Sequence, residues 1–557
     1  MKIILCLLIM VLSSVLRLYR LSSIPPSPSL DEVSIGYNAY SLFITGRDEY
    51  GYRLPLLLRA YDDWRPAGYV YTVMPAVLAF GLNSVAIRLP AAIMGIMSVF
   101  MIYILASDIY TLAMKRLNSV SFKSDKEKEI NQKAHQVGIL SSLFMAISPW
   151  AVYISRMGHE VNLGFFLTLI FIVAFTRFIR SKKIVWIYIT AVAFSLSFNS
   201  YQSQKIFMPL LAVGLLYFFR SVIDFRIKVF FKPLLIGIVL LVPMVYLVFR
   251  PESLARYSAT GILENDARLI KAQEIYHQAR LNGDYWQALK NHRIIVSVII
   301  ITNNYFKHIN PRWLFSGNIK EDHKVPYLGL LYQIDLLFLI LGFIWLWKNN
   351  RKYLLLILYI YAISILPGGL TTQAPHAMRT MQSLIALALF FGMSVGWWEK
   401  GILKKFVRFG LLVPVFYAGL NIPALRTGYL IDFPRFHARS FQTALQNALP
   451  RVIRIADHYD RIIISNQDNL YQSYMFYLFV NKYDPRKYQL AGGTGSGGYD
   501  QTHTLGKFQF RPIDWKNDRN LKETLFLGNK DDFVGSVNII DKYDYPDGSS
   551  GVWIIQS

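Results

Sequence analysis

What most constrains this chain is a rhythm of apolar runs separated by connections of two alternating kinds. The runs fall at residues 3–16, 86–110, 137–154, 161–178, 184–198, 206–219, 233–249, 328–347, 353–366, 383–398 and 411–425. At about 20 residues per crossing they predict about eleven transmembrane helices, some visibly short. Residues 67–80 are apolar too, but short and preceded by Arg65-Pro66, so they are expected to lie along the interface. The run at 3–16 follows Lys2 and has the look of a signal peptide. Its apolar character continues towards Leu21 with no small-x-small cleavage site, so it reads as an uncleaved first span. The stretch 250–325 contains no full-length run, and 294–301 is too short to cross.

Every second connection is short and basic. These connections carry Lys115, Arg116, Lys123, Lys126, Lys128 and Lys133, then Arg180, Lys182 and Lys183, then Arg220, Arg226, Lys228 and Lys232. Lys348, Arg351 and Lys352 follow, and finally Lys400, Lys404, Lys405 and Arg408. The other connections are longer and mix both signs. Positive loops stay in the cytoplasm, so the amino terminus is expected inside a plasma (inner) membrane and the long loops outside. The net charge of +24 would suit a nucleic-acid binder. Here the basic residues mark topology and meet anionic lipid instead, so membrane lipids and not nucleic acid are the expected partners. Cys6 is the single cysteine, which excludes an intramolecular disulfide and a thiolate metal site.

Residues 1–425 read as the transmembrane domain and 426–557 as a small extracytoplasmic α/β domain. In the latter, 440–455 has helical spacing, 461–465 reads as a buried strand, 474–480 as a helix and 552–555 as a closing strand. The Gly-rich run 492–498 lacks the Lys-Ser/Thr of a phosphate loop and reads as a flexible loop.

Asp31 and Glu32 lie just beyond the first run, in a long polar-aromatic loop from 21 to 65. A carboxylate pair beside a membrane span is unfavourable unless water, a partner or a task holds it there. The plain alternative is a loop residue capping a short helix. On the expected topology, other polar residues reach the same side. Tyr37, Asn38, Arg47, Asp48 and Arg65 share the first outer loop, and Arg156, His159 and Glu160 form the second turn. Tyr201 and Lys205 lie at the third, His323 and Lys324 end the fourth, and His376 and Arg379 lie in the fifth. Each alone is explained by snorkelling or an ordinary hydrogen bond. Together, Arg, Lys and His beside carboxylates can hold a lipid-linked phosphate while a carboxylate takes the proton of an attacking hydroxyl.

The chain resembles bacterial GT-C membrane glycosyltransferases, in the branch of protein O-mannosyltransferases and aminoarabinose transferases. The matching pieces are 30–41 (LDEVSIGYNAYS), 45–51 (TGRDEYG), 65–71 (RPAGYVY), 86–92 (AIRLPAA), 147–150 (ISPW), 155–160 (SRMGHE) and 375–379 (PHAMR). The resemblance covers roughly the membrane part, and the tail only loosely. It implies an inverting transferase that takes one sugar from a polyprenyl-phosphate donor to a hydroxyl acceptor on protein, lipid or glycan. Asp31 matches its catalytic acid, with Glu32 beside it in an orienting or acceptor-binding role. Ala67 stands where a second Pro is common and Gln202 where a His is expected, which leaves substrate choice open. A divalent cation is a candidate cofactor of the Asp31–Glu32 pair. Two other functions compete: a flippase for polyprenyl-linked glycans, and a non-catalytic protein that binds lipid-linked sugar. Midplane charges and repeated halves would favour the flippase; the charges here cluster at one face.

Overall fold

The computed structural model describes residues 2–61, 63–114, 124–223, 227–248, 250, 261–318, 321, 323–397, 412–498 and 501–557. Of the basic residues used above, Lys115, Arg116, Lys123, Arg226, Lys400, Lys404, Lys405 and Arg408 lie outside the described residues, as do Phe249, Trp398 and Leu411 at run ends.

The protein is a polytopic helical membrane protein with a C-terminal sheet domain. Among the described residues four helices are long and apolar enough to cross a membrane: Ser84–Met114, Glu160–Ser181, Val229–Leu247 and Arg351–Gly369. A fifth is the pair Glu127–Ile147 and Pro149–Ser155, bent by 59°. The remaining expected crossings are shorter apolar helices such as Val185–Phe198 and Gln204–Phe219. Val229–Leu247 exposes Leu234, Val239 and Val242, as a helix that faces lipid would.

The chain forms two compact units, each built from more than one segment, and one of their boundaries falls between Leu425 and Arg426. The first comprises Met1–Arg17, Met94–Ser155 and Glu160–Leu425. Its helix Ser383–Met393 is apolar on every side and wholly buried, as such a helix must be. The bend at Ser148-Pro149 frees the last carbonyls of the preceding helix. The buried Arg17 guanidinium donates to Ala146 O at 2.9 Å and Met145 O at 3.0 Å, satisfying them.

The second unit joins Leu18–Ile93, Arg156–His159 and Arg426–Ser557. Residues 21–65 are not one long loop. A helix runs Leu30–Thr45, opened by a capping box between Ser29 and Glu32 and closed by Gly46 in the left-handed region (φ 68°). A hairpin follows, β1 (Leu57–Ala60) and β2 (Asp63–Pro66), with Leu58 opposite Arg65.

The tail is a six-stranded mixed sheet of order β4-β5-β3-β6-β8-β7. The strands are β3 (Arg461–Ile464), β4 (His503–Leu505), β5 (Phe508–Phe510), β6 (Thr524–Asn529), β7 (Asn538–Tyr543) and β8 (Val552–Gln556). β3 runs parallel to β5 and β6, which suits its unbroken Ile462-Ile463-Ile464 run. Helices Thr443–Ile455 and Ser473–Val480 form where the sequence predicts them. β8 does not close the sheet: it pairs with β6 on one side and β7 on the other. The more polar β7 takes the edge, where Asp541 and Lys542 meet water.

Candidate active site

In the second unit the two adjacent acids receive opposite environments. Both belong to the first turn of helix Leu30–Thr45, where the helix dipole favours negative charge. Glu32 is buried to 1% exposure. Its Oε2 accepts from Ser29 N–H at 2.8 Å and Arg88 Nη2 at 3.0 Å, and its Oε1 from Arg88 Nε at 2.7 Å and Gly158 N–H at 2.9 Å. Arg88 also donates to the carbonyls of Leu21, Pro25 and Ser27. All five guanidinium N–H groups are thereby used, as a buried arginine requires. Gly158 is needed for this approach, because a Cβ there would meet Ile87 Cγ2 at 2.4 Å and Ile87 O at 2.9 Å.

Asp31, by contrast, keeps 43% of its side chain exposed. The β1–β2 hairpin delivers the buried Arg65, whose Nη2 donates to Asp31 Oδ1 at 2.7 Å. His159 Nε2 lies 3.8 Å from Oδ2. Tyr61 anchors the hairpin by donating to Leu30 O at 2.9 Å. Of the pair, Asp31 is therefore the acid that an incoming molecule can reach.

The other expected residues of this unit support the helix. Tyr37, buried, donates to Tyr483 O at 3.2 Å. Asn38 donates to Glu49 Oε1 and accepts from Glu49 N–H, both at 2.9 Å. Asp48 accepts from the N–H groups of Tyr50 and Tyr52, and the exposed Arg47 donates to Gly51 O. Arg156 is buried and donates to the carbonyls of Tyr19 and Ile24 at 2.8 and 2.9 Å. Burial pushes Glu49 up to about 7 and Asp48 up to about 6.

The first unit gathers a second polar cluster from two loops. The His323 and His376 rings are 4.9 Å apart. His376 N–H donates to His308 Nε2 at 3.0 Å, while His308 Nδ1 lies 2.8 Å from Asn304 O. That arrangement requires the neutral Nδ1–H tautomer, and burial indeed pulls His308 down to about 4. Lys324 donates to Glu321 at 2.9 Å and stands 5.5 Å from the Trp313 ring, which in turn meets His308 edge-on. Arg379 donates to Gln373 and contributes positive potential at His308. Residues 377–382 are turns and the helix begins only at Ser383, so His376 and Arg379 both lie in the loop before it. Glu160, buried, opens helix Glu160–Ser181. Tyr201 lies in the turn before helix Gln204–Phe219, and Lys205 within its first turn.

Arg88 and His308 were not among the expected polar residues. Arg88 lies in a quoted motif. His308 has no local signal at all.

Among the described residues no three His, Cys, Asp or Glu side chains gather as metal ligands. The Asp31–Glu32 pair also does not fit a shared divalent cation, because Arg88 and Gly158 hold both oxygens of Glu32 and Arg65 holds one of Asp31.

The many-helix membrane body with its C-terminal sheet domain shares the GT-C fold with a solved structure. The chain is similar over 99% of its length to ArnT from Cupriavidus metallidurans bound to undecaprenyl phosphate, covering 97% of that chain at a TM-score of 0.50 and 9% identity. Archaeoglobus fulgidus oligosaccharyltransferase AglB, in complex with an inhibitory peptide and a dolichol-phosphate, aligns with 86% of this chain and 63% of its own, at a TM-score of 0.46 and 11% identity. In sequence, 190 residues (32% of this chain) are 25% identical to "Putative mannosyltransferase YycA" of Bacillus subtilis strain 168. That match spans about a quarter of the relative's length, 24%. No family model matches the chain.

Proposed function

We propose that this chain is an inverting glycosyltransferase that moves one sugar from a polyprenyl-phosphate donor to a hydroxyl acceptor, with Asp31 as general base. The observation that carries this reading is the asymmetry of the acid pair: Glu32 is sealed by Arg88 and Gly158, while Asp31 is exposed and oriented by Arg65. The acceptor hydroxyl gives its proton to the Asp31 carboxylate as its oxygen bonds to the sugar's anomeric carbon. The bond from that carbon to the carrier phosphate breaks, the configuration inverts, and the electron pair leaves on the phosphate. Arg65 fixes the carboxylate; Glu32, through Arg88, fixes the turn that carries it.

Arg379 is the proposed phosphate ligand, with His376, His323 and Lys324 as further polar contacts, because a planar guanidinium matches phosphate oxygens two at a time. Tyr37, Asn38, Arg47, Asp48, Arg156, Glu160, Tyr201 and Lys205 are proposed to shape substrate binding, the buried ones among them indirectly. The proposed topology has about eleven crossings, an inside amino terminus and an outside sheet domain, from the alternation of basic connections. Protein, lipid and glycan stand equally as acceptor classes on these grounds.

The test is transfer by purified protein from a synthetic polyprenyl-phosphate sugar to an extracted envelope fraction, with Asp31→Asn alongside. A wild-type protein that binds the donor and transfers nothing would favour the non-catalytic reading, and one that moves the donor across liposomes would favour the flippase.

A further inference from the structure

The sheet domain contains a cavity of about 330 Å³ behind the Gly-rich loop. We propose that this cavity binds one neutral sugar residue of a glycan. It rests on the transferase reading only in taking that glycan as the acceptor.

Its size is at the lower end of ligand pockets, which run from about 300 to 1,000 Å³, so it suits one small ring rather than a lipid tail or a folded partner. Its floor is aromatic: Tyr474, Tyr488 and Phe510 are buried there, and Tyr474 stacks on His503 with ring centres 3.9 Å apart. Its rim is hydroxylic, with Ser496 and Thr502 among the lining side chains. No Asp, Glu, Lys or Arg is among the described residues that line it. An anionic ligand would call for Arg or Lys, and a purely apolar one would strand the hydroxyls. A pyranose offers what remains, an apolar C–H face for the aromatic floor and hydroxyl edges for the rim.

The loop is not loose in the way its glycines suggest. Thr494 N–H donates to Glu49 O at 3.2 Å and its hydroxyl to Glu49 Oε2 at 2.9 Å. Gln472 donates to Gly497 O at 2.6 Å, and the Tyr488 hydroxyl pairs with Thr494 at 2.7 Å. The cavity is thus preformed, which lowers the ordering penalty of binding. Gly495 offers a clean way to block it. A Cβ there meets nothing within 4 Å, and its backbone is not in the left-handed region.

The experiment is saturation-transfer NMR on the full chain in nanodiscs, since maltoside detergents would themselves supply sugar. The probes are mannotriose, chitotriose and maltotriose. We expect a signal with at least one, kept in Gly495→Ser and lost in Gly495→Trp with the thermal transition unchanged. No signal with any of the three, or a signal that survives Gly495→Trp, overturns the proposal. Asp31→Asn separates the two readings. It is expected to keep sugar binding while losing transfer; if it transfers normally the transferase mechanism fails, and binding that Gly495→Trp abolishes still stands.

Discussion

Arg65 reaches Asp31 from 34 residues downstream, 2.7 Å from Oδ1, while Arg88 claims the neighbouring Glu32 on the same helical turn. Two adjacent acids therefore have separate environments, and substitutions should tell them apart.

Asp31→Asn keeps the size of the side chain and still accepts from Arg65, but cannot take a proton. General-base contributions are about 10² to 10⁴ in rate. Turnover of the polyprenyl-phosphate sugar should fall by that much, with expression and thermal transition retained. Near-normal turnover removes Asp31 from the mechanism.

Glu32→Gln should instead act on folding. It leaves the buried Arg88 guanidinium without its counter-charge, and breaking such a pair destabilises by about 3 to 5 kcal/mol. The thermal transition should drop clearly in Glu32→Gln and little in Asp31→Asn. Equal transitions in the two variants would deny Glu32 its positioning role.

Stability should fall as pH rises from about 4.5 to 7. Burial raises Glu49 from 4.5 to about 7, so in that window the folded state binds a proton that the unfolded state has released. The stabilisation is complete below the unfolded value, is lost as pH climbs to the folded one, and levels off above it. Asp48 adds the same slope between 3.8 and about 6. Glu49→Gln should flatten the upper part of the profile of transition temperature against pH. Parallel profiles for the two proteins would show that Glu49 does not titrate there.

Arg379→Lys tests a forked phosphate contact against mere snorkelling. Charged hydrogen bonds contribute about 1.5 to 3 kcal/mol, or about tenfold to a hundredfold in affinity. A donor titration at fixed acceptor should shift clearly for Lys and further for Ala. If Lys restores the wild-type curve, Lys205 or Lys324 is the better candidate.

Topology is checked by cysteine labelling in a Cys6→Ser background. Lys522→Cys in the sheet domain should react with an impermeant thiol reagent in intact cells, and Lys128→Cys should not. Labelling at Lys128 would overturn the orientation.

Much of this was legible from residue patterns. The run Arg461-Ile-Ile-Ile announced a buried strand; that it pairs parallel to both neighbours is seen only in the structure. The helix carrying Asp31 stood only as the plain alternative of a short capped helix, although Ser29-Leu-Asp-Glu32 before an apolar stretch is a capping-box signature. Polar and aromatic neighbours masked the period. Arg88 lay inside a quoted motif, but its partner is 56 residues away and burial decided its role. His308 was illegible because its function as an acceptor depends on a backbone N–H 68 residues on.

The ties between the first loop and the sheet domain also bear on how the protein is made. Tyr37 waits for Tyr483, 446 residues later, and Glu49 waits for Thr494, 445 residues later. A ribosome must therefore synthesise nearly the whole chain before the segment bearing Asp31 finds its final partners. Until then Glu49 stays hydrated, and the burial that raises its pKa to about 7 comes only with closure of the unit. Truncation before residue 474 would leave the segment bearing Asp31 without these partners and permanently unfinished, a ready substrate for quality-control proteases.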